Sequence, residues 1–168
     1  SASPYMSHCR VEYSSAAGIY CVGSSFLLDS SVVSDNSDYG LYFDEYFQHS
    51  TNLLVRNDTI QNNGNGGLYI GHGGTDPSNK TEIKNNFFLG NSTHGAIENY
   101  LSRVNVVIAD NFFEFNSSNT HGTIHFVKNS ITFSNIEITG NYFNNNDGSG
   151  TITFLDLVYN IKILKNIF

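Results

Sequence analysis

Glu98 and His125 are the residues whose types and placement best suit acid–base chemistry. Each stands four residues after another histidine, in the related stretches Thr-His-Gly-Ala-Ile-Glu (Thr93–Glu98) and Thr-His-Gly-Thr-Ile-His (Thr120–His125). A carboxylate beside an imidazole shares or transfers a proton readily, because imidazole titrates near neutrality and either group serves as general acid or base once its environment is tuned. The competing reading is a surface ion pair of little energetic worth. His94 and His121, in the Thr-His-Gly turns, either extend the polar cluster toward a ligand or stack beside a glycine corner. A zinc site from His94, Glu98, His121 and His125 is disfavoured. Zinc ligands converge within about 2.3 Å of the metal, whereas residues four apart on one strand are about 13 Å from each other. No metal and no cofactor is expected.

A repeat brings Glu98 next to His125. An apolar anchor recurs at Val11, Val33, Ile60, Phe88, Phe113, Phe143 and Phe168, at intervals of 22, 27, 28, 25, 30 and 25 residues. Three residues after the first six anchors come Ser14, Asn36, Asn63, Asn91, Asn116 and Asn146, followed after a short turn by Gly18, Gly40, Gly67, Gly95, Gly122 and Gly150. Two residues before the anchors stands a second polar column, Ser31, Asp58, Asn86, Asn111, Asn141 and Asn166. Three residues earlier again stand Leu28, Val55, Ile83, Ile108, Ile138 and Ile163. The unit reads I-x-I-x-x-N-x-F-x-x-N, a turn, then G-I-x-F or G-x-I-x-F, and a loop of variable length.

Each unit holds three short apolar stretches, none long enough for a helix, two of them alternating with the period of a strand. Such a unit buries its inward side chains by coiling and stacking in parallel on its neighbours. The expected fold is therefore all-β, a single parallel β-helix domain over residues 1–168 with about six to seven coils. Asn86, Asn111 and Asn141 are expected to stack at about the 4.8 Å strand spacing, their amides donating and accepting along the axis.

Composition narrows the partners. The formal charge is −7 with only 8 Lys and Arg, scattered along the chain, which leaves no basic stripe for a phosphate backbone, so no nucleic acid is expected. No apolar run approaches the ~20 residues of a membrane-spanning helix. Cys9 and Cys21 are the only cysteines and read as free thiols. Asn57, Asn79, Asn91 and Asn116 open glycosylation sequons, in a chain so rich in Asn and Ser that accidental matches are expected.

From Val11 to Phe168 these G-I-x-F, I-x-I and N-x-F segments resemble the right-handed parallel β-helix superfamily of pectate-lyase-like proteins. The resemblance implies a ligand-binding face on the strands that begin with glycine. If Ile19, Leu41, Leu68, Ile97, Ile124 and Ile152 point inward, the next residue of each coil points to solvent. That outward column is Tyr20, Tyr42, Tyr69, Glu98, His125 and Thr153. Three tyrosines suit a sugar chain, whose apolar ring faces lie on aromatic planes. Exposed strands also favour tyrosine without any ligand.

The function expected from the resemblance is an extracellular, cell-surface or virion-surface module. It binds polysaccharide through Tyr20, Tyr42, Tyr69, His94 and His121, and cleaves it if Glu98 and His125 are catalytic. The alternative is a non-catalytic structural or adhesive shaft that stacks head to tail in a filament or spike, and under either reading the domain is expected to be a segment of a longer or polymerising solenoid. Further carboxylates, Asp44, Glu45, Asp76 and Asp156, fall on loops after the glycine strand. The adjacent Asp-Asp pair of polygalacturonases is absent, as is the acidic calcium cluster with a nearby Arg or Lys base of many pectate lyases. His72 lies in a Gly-His-Gly-Gly loop.

Overall fold

The structure is a computed structural model and describes residues 3–44, 51–71, 78–100, 104–119, 121–127, 133–155 and 158–168. Within them the chain forms short strands joined by turns, arranged in three parallel sheets of seven, six and six strands. The first sheet includes Phe26–Asp29, Asn52–Arg56, Lys80–Lys84, Val104–Ala109, Phe133–Thr139 and Val158–Leu164. The second includes Thr59–Gln61, Phe87–Leu89, Phe112–Glu114 and Tyr142–Asn144. The third includes Ile19–Val22, Tyr39–Asp44, Gly66–Ile70, Ile97–Tyr100, Gly122–Val127 and Gly150–Phe154. Each strand pairs with its equivalents one repeat earlier and later, as in Val55↔Ile83↔Ile108 and Ile60↔Phe88↔Phe113.

Alternation within each strand sends one set of side chains into the coil. Leu28, Val55, Ile83, Ile108 and Ile138 enter from the first sheet, and Phe88, Phe113 and Phe143 from the second. The three phenylalanines stack with ring centroids 5.1 and 4.8 Å apart, because they stand in register on neighbouring strands about 4.8 Å apart.

The doubled asparagines have separate tasks. At the corner between the first and second sheets, Asn85 adopts φ 57°, the left-handed conformation that Asn and Asp tolerate best among residues with a side chain. Asn57 and Asp110 do the same one repeat earlier and later. The residue after each is the ladder member. Asn86 Nδ2 donates to Asn111 Oδ1 at 3.0 Å, and Asn111 Nδ2 to Asn141 Oδ1 at 2.9 Å. A second ladder runs through Asn36, Asn63, Asn91 and Asn116 at the next corner. Asn91 and Asn116 are thus buried, and Asn79, whose side-chain oxygen accepts the Thr51 backbone N–H, is buried as well, which removes three of the four sequons as glycan acceptors on the folded chain.

Asp58 interrupts the first ladder. Its Oδ1 accepts the Ser31 backbone N–H at 2.7 Å as an asparagine oxygen would, but Oδ2 occupies the place of the amide nitrogen and has no hydrogen-bond partner. The residue is 1% exposed.

The glycine column needs one correction. The strand register aligns Gly18, Gly40 and Gly67 with Ala96, Thr123 and Thr151, whereas Gly95, Gly122 and Gly150 fall one position earlier, level with Gly66 and Tyr39. A Cβ at Gly18, Gly40, Gly67, Gly95 or Gly122 would press on a backbone oxygen of the next coil, while Thr123 and Thr151 in the first column and Tyr39 in the second show that other coils admit a side chain there.

Candidate functional site

The outward column of the third sheet pairs in register as Tyr20↔Tyr42↔Tyr69↔Glu98↔His125↔Thr153. The sequence thus places every member on its rung, but the expected exposure of two members is wrong. Tyr20 is 69% exposed and Tyr42 and Tyr69 are half-buried, whereas Glu98 is 8% and His125 0% exposed.

Tyr39 supplies part of the cover. It stands in the column that later coils fill with Gly66 and Gly95, so its ring crosses Gly66 and delivers its hydroxyl two coils away to Glu98 Oε2. A Cβ on Gly66 would stand 2.8 Å from Tyr39 Cε1. The signal in the sequence was a tyrosine where later repeats carry glycine, legible only once the register is known. On the far side, the His121 ring lies 4.3 Å from that of His125.

His94 completes the cluster. Its Nδ1 is 3.2 Å from the Asn65 carbonyl and 3.1 Å from the Tyr39 hydroxyl oxygen. A carbonyl only accepts, so Nδ1 carries the proton and donates to it, while the single Tyr39 proton goes to Glu98. His94 Nδ1 is 3.9 Å from Glu98 Oε2, and His125 Nε2 is 3.7 Å from Glu98 Oε1, close in charge terms but longer than a hydrogen bond. Neither ring nitrogen of His125 has a hydrogen-bond partner.

Burial by itself pushes the Glu98 carboxyl up, but His125, the Tyr39 hydroxyl and His94 together outweigh it and hold Glu98 below its ordinary value. Burial, reinforced by Glu98, pushes the Tyr39 hydroxyl well above its ordinary range, so Tyr39 stays a donor. His121 is pushed down, first by burial and then by the neighbouring His125. The result is an ionised carboxylate held by a tyrosine and flanked by imidazoles, a buried unit rather than the exposed, screened ion pair that the sequence suggested.

The tyrosines form a continuous stack. Tyr20 and Tyr42 have centroids 4.8 Å apart at 15° between planes, and Tyr42 and Tyr69 4.4 Å apart at 16°. Tyr39 packs tilted against Tyr69 at 5.2 Å, and Tyr100 continues the row at 6.3 Å. Stacking turns the ring faces toward one another, so the strip offers edges and hydroxyls outward.

Asn99, beside Glu98, is the least expected member. It points inward in the column Cys21, Phe43, Ile70, Asn99, Phe126 and Phe154, fully buried, with neither amide atom hydrogen-bonded. Asn99→Leu is expected to stabilise the chain by about 1–3 kcal/mol, the cost of an unsatisfied buried polar group. Equilibrium urea unfolding checks it; a lower midpoint in the variant would mean that the amide has a favourable role in the core.

Asp44 ends the third-sheet strand Tyr39–Asp44; Glu45, Asp76, Asp156 and His72 lie outside the described residues. Among the described residues no three His, Cys, Asp or Glu side chains are grouped to hold a metal ion, Cys9 and Cys21 are free, and no helix is long and apolar enough to cross a membrane.

The parallel coil, its asparagine ladders and its glycine-strand face define a right-handed parallel β-helix. The chain belongs to the right-handed β-helix region family, whose model matches residues 1–168. No curated protein and no solved structure gives a significant match.

Proposed function

We propose that the chain is an extracellular, cell-surface or virion-surface module that binds polysaccharide along the outer face of the third sheet. The observation that carries this reading is the stack Tyr20–Tyr42–Tyr69, one ring per coil along the solenoid axis. A linear glycan running along that axis meets a row of phenolic edges and hydroxyls at the strand repeat. His94 and His121 border the strip and lie within reach of such a chain. Glu98 and His125 are sealed beneath Tyr39 and His121, which favours binding without cleavage at this position, since a general acid or base has to reach the bond it acts on.

Affinity electrophoresis against a panel of plant, algal and bacterial polysaccharides tests the proposal. The parent is expected to be retarded by at least one of them. Tyr20→Ala/Tyr42→Ala/Tyr69→Ala is expected to lose that retardation while keeping its β-sheet circular dichroism, and Glu98→Gln to keep it. Retardation undiminished in the triple variant removes the tyrosine strip from the reading, and release of reducing ends that Glu98→Gln abolishes makes the module an enzyme instead.

A further inference from the structure

The tyrosine row has a reactivity that involves no sugar. Tyr20, Tyr42 and Tyr69 stand in register on three successive strands of the third sheet, with centroids 4.8 and 4.4 Å apart and planes within 16° of parallel. A phenol gives up one electron and its proton to a strong oxidant. Two phenoxyl radicals held side by side then couple through the carbons ortho to their oxygens, and Tyr42 has a phenol on each side of it.

The geometry points to Tyr42 as a site of oxidative cross-linking, where a haem peroxidase with hydrogen peroxide as the oxidant closes a dityrosine to Tyr20 or Tyr69 and so ties one coil to the next. The row presents ring edges and hydroxyls outward, which is where a one-electron oxidant meets a phenol. Stacked contact lets an electron hole pass from ring to ring, so two successive oxidations along the row leave radicals on neighbours. Each of the two tyrosines has then lost one electron and its phenolic proton. One C–C bond forms between the two ortho carbons, and the hydrogens on those carbons leave as protons while the two oxygens take protons up, which restores both phenols. The protein loses two hydrogen atoms in all, and one hydrogen peroxide is reduced to two waters.

Coupling needs the rings edge to edge. The χ2 torsion of tyrosine is broad, so a half-buried ring has room to turn about it. With the rings turned, their two half-widths span about half of the roughly 4.8 Å between strands, and a tilt of the side chains toward each other closes the rest.

Register sets this row apart from the other tyrosines. Tyr5, Tyr100, Tyr142 and Tyr159 pair with Leu27, Val127, Phe112 and Ser134. Tyr13 stands at a left-handed corner that the next coil fills with Asp35. Among the described residues none of these five has a tyrosine on the rung it pairs with, so a radical formed there turns to a second molecule. Tyr39 lies edge-on to Tyr42 at 6.2 Å and commits its hydroxyl to Glu98.

The test uses the whole chain at micromolar concentration with no polysaccharide present, so it stands apart from the retardation assay. A haem peroxidase and one equivalent of hydrogen peroxide are added, and the monomer is recovered from a denaturing gel. A protease that cuts before aspartate then separates the three tyrosines, at Asp29, Asp35 and Asp38 between the first two and at Asp44 and Asp58 between the last two. The monomer is expected to show dityrosine fluorescence, to weigh two hydrogens less than before treatment, and to yield a pair of peptides joined through Tyr42. Its thermal unfolding midpoint is expected to rise by several degrees, because the cross-link closes a loop in the unfolded chain. Tyr42→Phe keeps the ring, removes the phenol and is expected to abolish the joined pair. Tyr20→Phe and Tyr69→Phe each leave Tyr42 one phenol neighbour and are expected to retain a joined pair, as is Tyr13→Phe, which changes a tyrosine that is 77% exposed. A monomer without dityrosine, a cross-link that maps away from Tyr42, or monomer dityrosine undiminished in Tyr42→Phe would each overturn the assignment.

Discussion

Asp58→Asn is expected to raise the thermal unfolding midpoint at about pH 8 by several degrees and to flatten the fall in stability that the parent shows between about pH 4 and pH 7. Asp58 stands in a ladder whose other buried members donate through Nδ2 to the next oxygen and to a main-chain carbonyl of the preceding coil, as Asn86 does to Asn111 Oδ1 and to Val55. Asp58 Oδ2 is buried with no hydrogen-bond partner, and by the repeat its counterparts to those two acceptors are the Asn86 side-chain oxygen and the Leu28 carbonyl, so only the protonated acid is expected to play the amide's part.

Burial, with a smaller push from Asp29, outweighs the Ser31 and Arg56 interactions and raises Asp58 from its ordinary 3.8 to about 7. The folded chain therefore holds this proton more tightly than the unfolded chain. The stability it confers is complete below about pH 3.8, declines as pH rises from there to about 7, and is absent above. At 1.36 kcal/mol per tenfold difference in proton affinity, the full loss is about 4 kcal/mol at most. In a chain of this size each kcal/mol moves the midpoint by about 2–4 °C. Melting curves of parent and variant across that range measure it, and two curves that stay parallel from about pH 4 to pH 8 would show that Asp58 does not titrate in the folded state.

Ile138→Asp is expected to abolish or severely depress cooperative unfolding. Ile138 is fully buried between Ile108 of the preceding coil and Ile163 of the next, in register with both. A carboxylate there meets aliphatic side chains and, ionised or protonated, lacks partners, a cost of several kcal/mol against the 5–15 kcal/mol that typically stabilises a domain. Ile138→Val, which removes one methylene and adds no polar atom, is expected to cost only about 0.5–1.5 kcal/mol. Calorimetry of the two variants separates buried polarity from lost volume; an aspartate variant that melts with the parent would mean that position 138 does not face the core.

The fold was legible because the signal repeats. The columns Leu28–Val55–Ile83–Ile108–Ile138 and Asn86–Asn111–Asn141 come from positions that face the same physical demand in every coil, so each repeat confirms the reading of the others. The ladder could be anticipated from residue type alone, since a buried amide at a corner has to donate and accept along the axis. The glycine column was harder. Its register changes between Gly67 and Gly95, and both registers look alike in sequence because glycine answers the same crowding in either place.

Sequence by itself determined the parallel coil, the Asn86–Asn111–Asn141 ladder, and the rung on which Tyr20, Tyr42, Tyr69, Glu98 and His125 each stand, because these follow from a period of strands and turns that is local and reinforced at every repeat. Only the tertiary structure decided what those side chains can do. An outward position is exposed only if nothing from another coil lies over it, and Tyr39, two coils before Glu98, does lie over it. Ring faces are open to a sugar only if they are not already turned to one another, and those of Tyr42 and Tyr69 are. The same holds for Asn99 and Asp58, whose composition is ordinary and whose cost comes from which atoms the neighbouring coils set against them. Burial and partnership are properties of several coils acting together, and a pattern read one repeat at a time does not contain them.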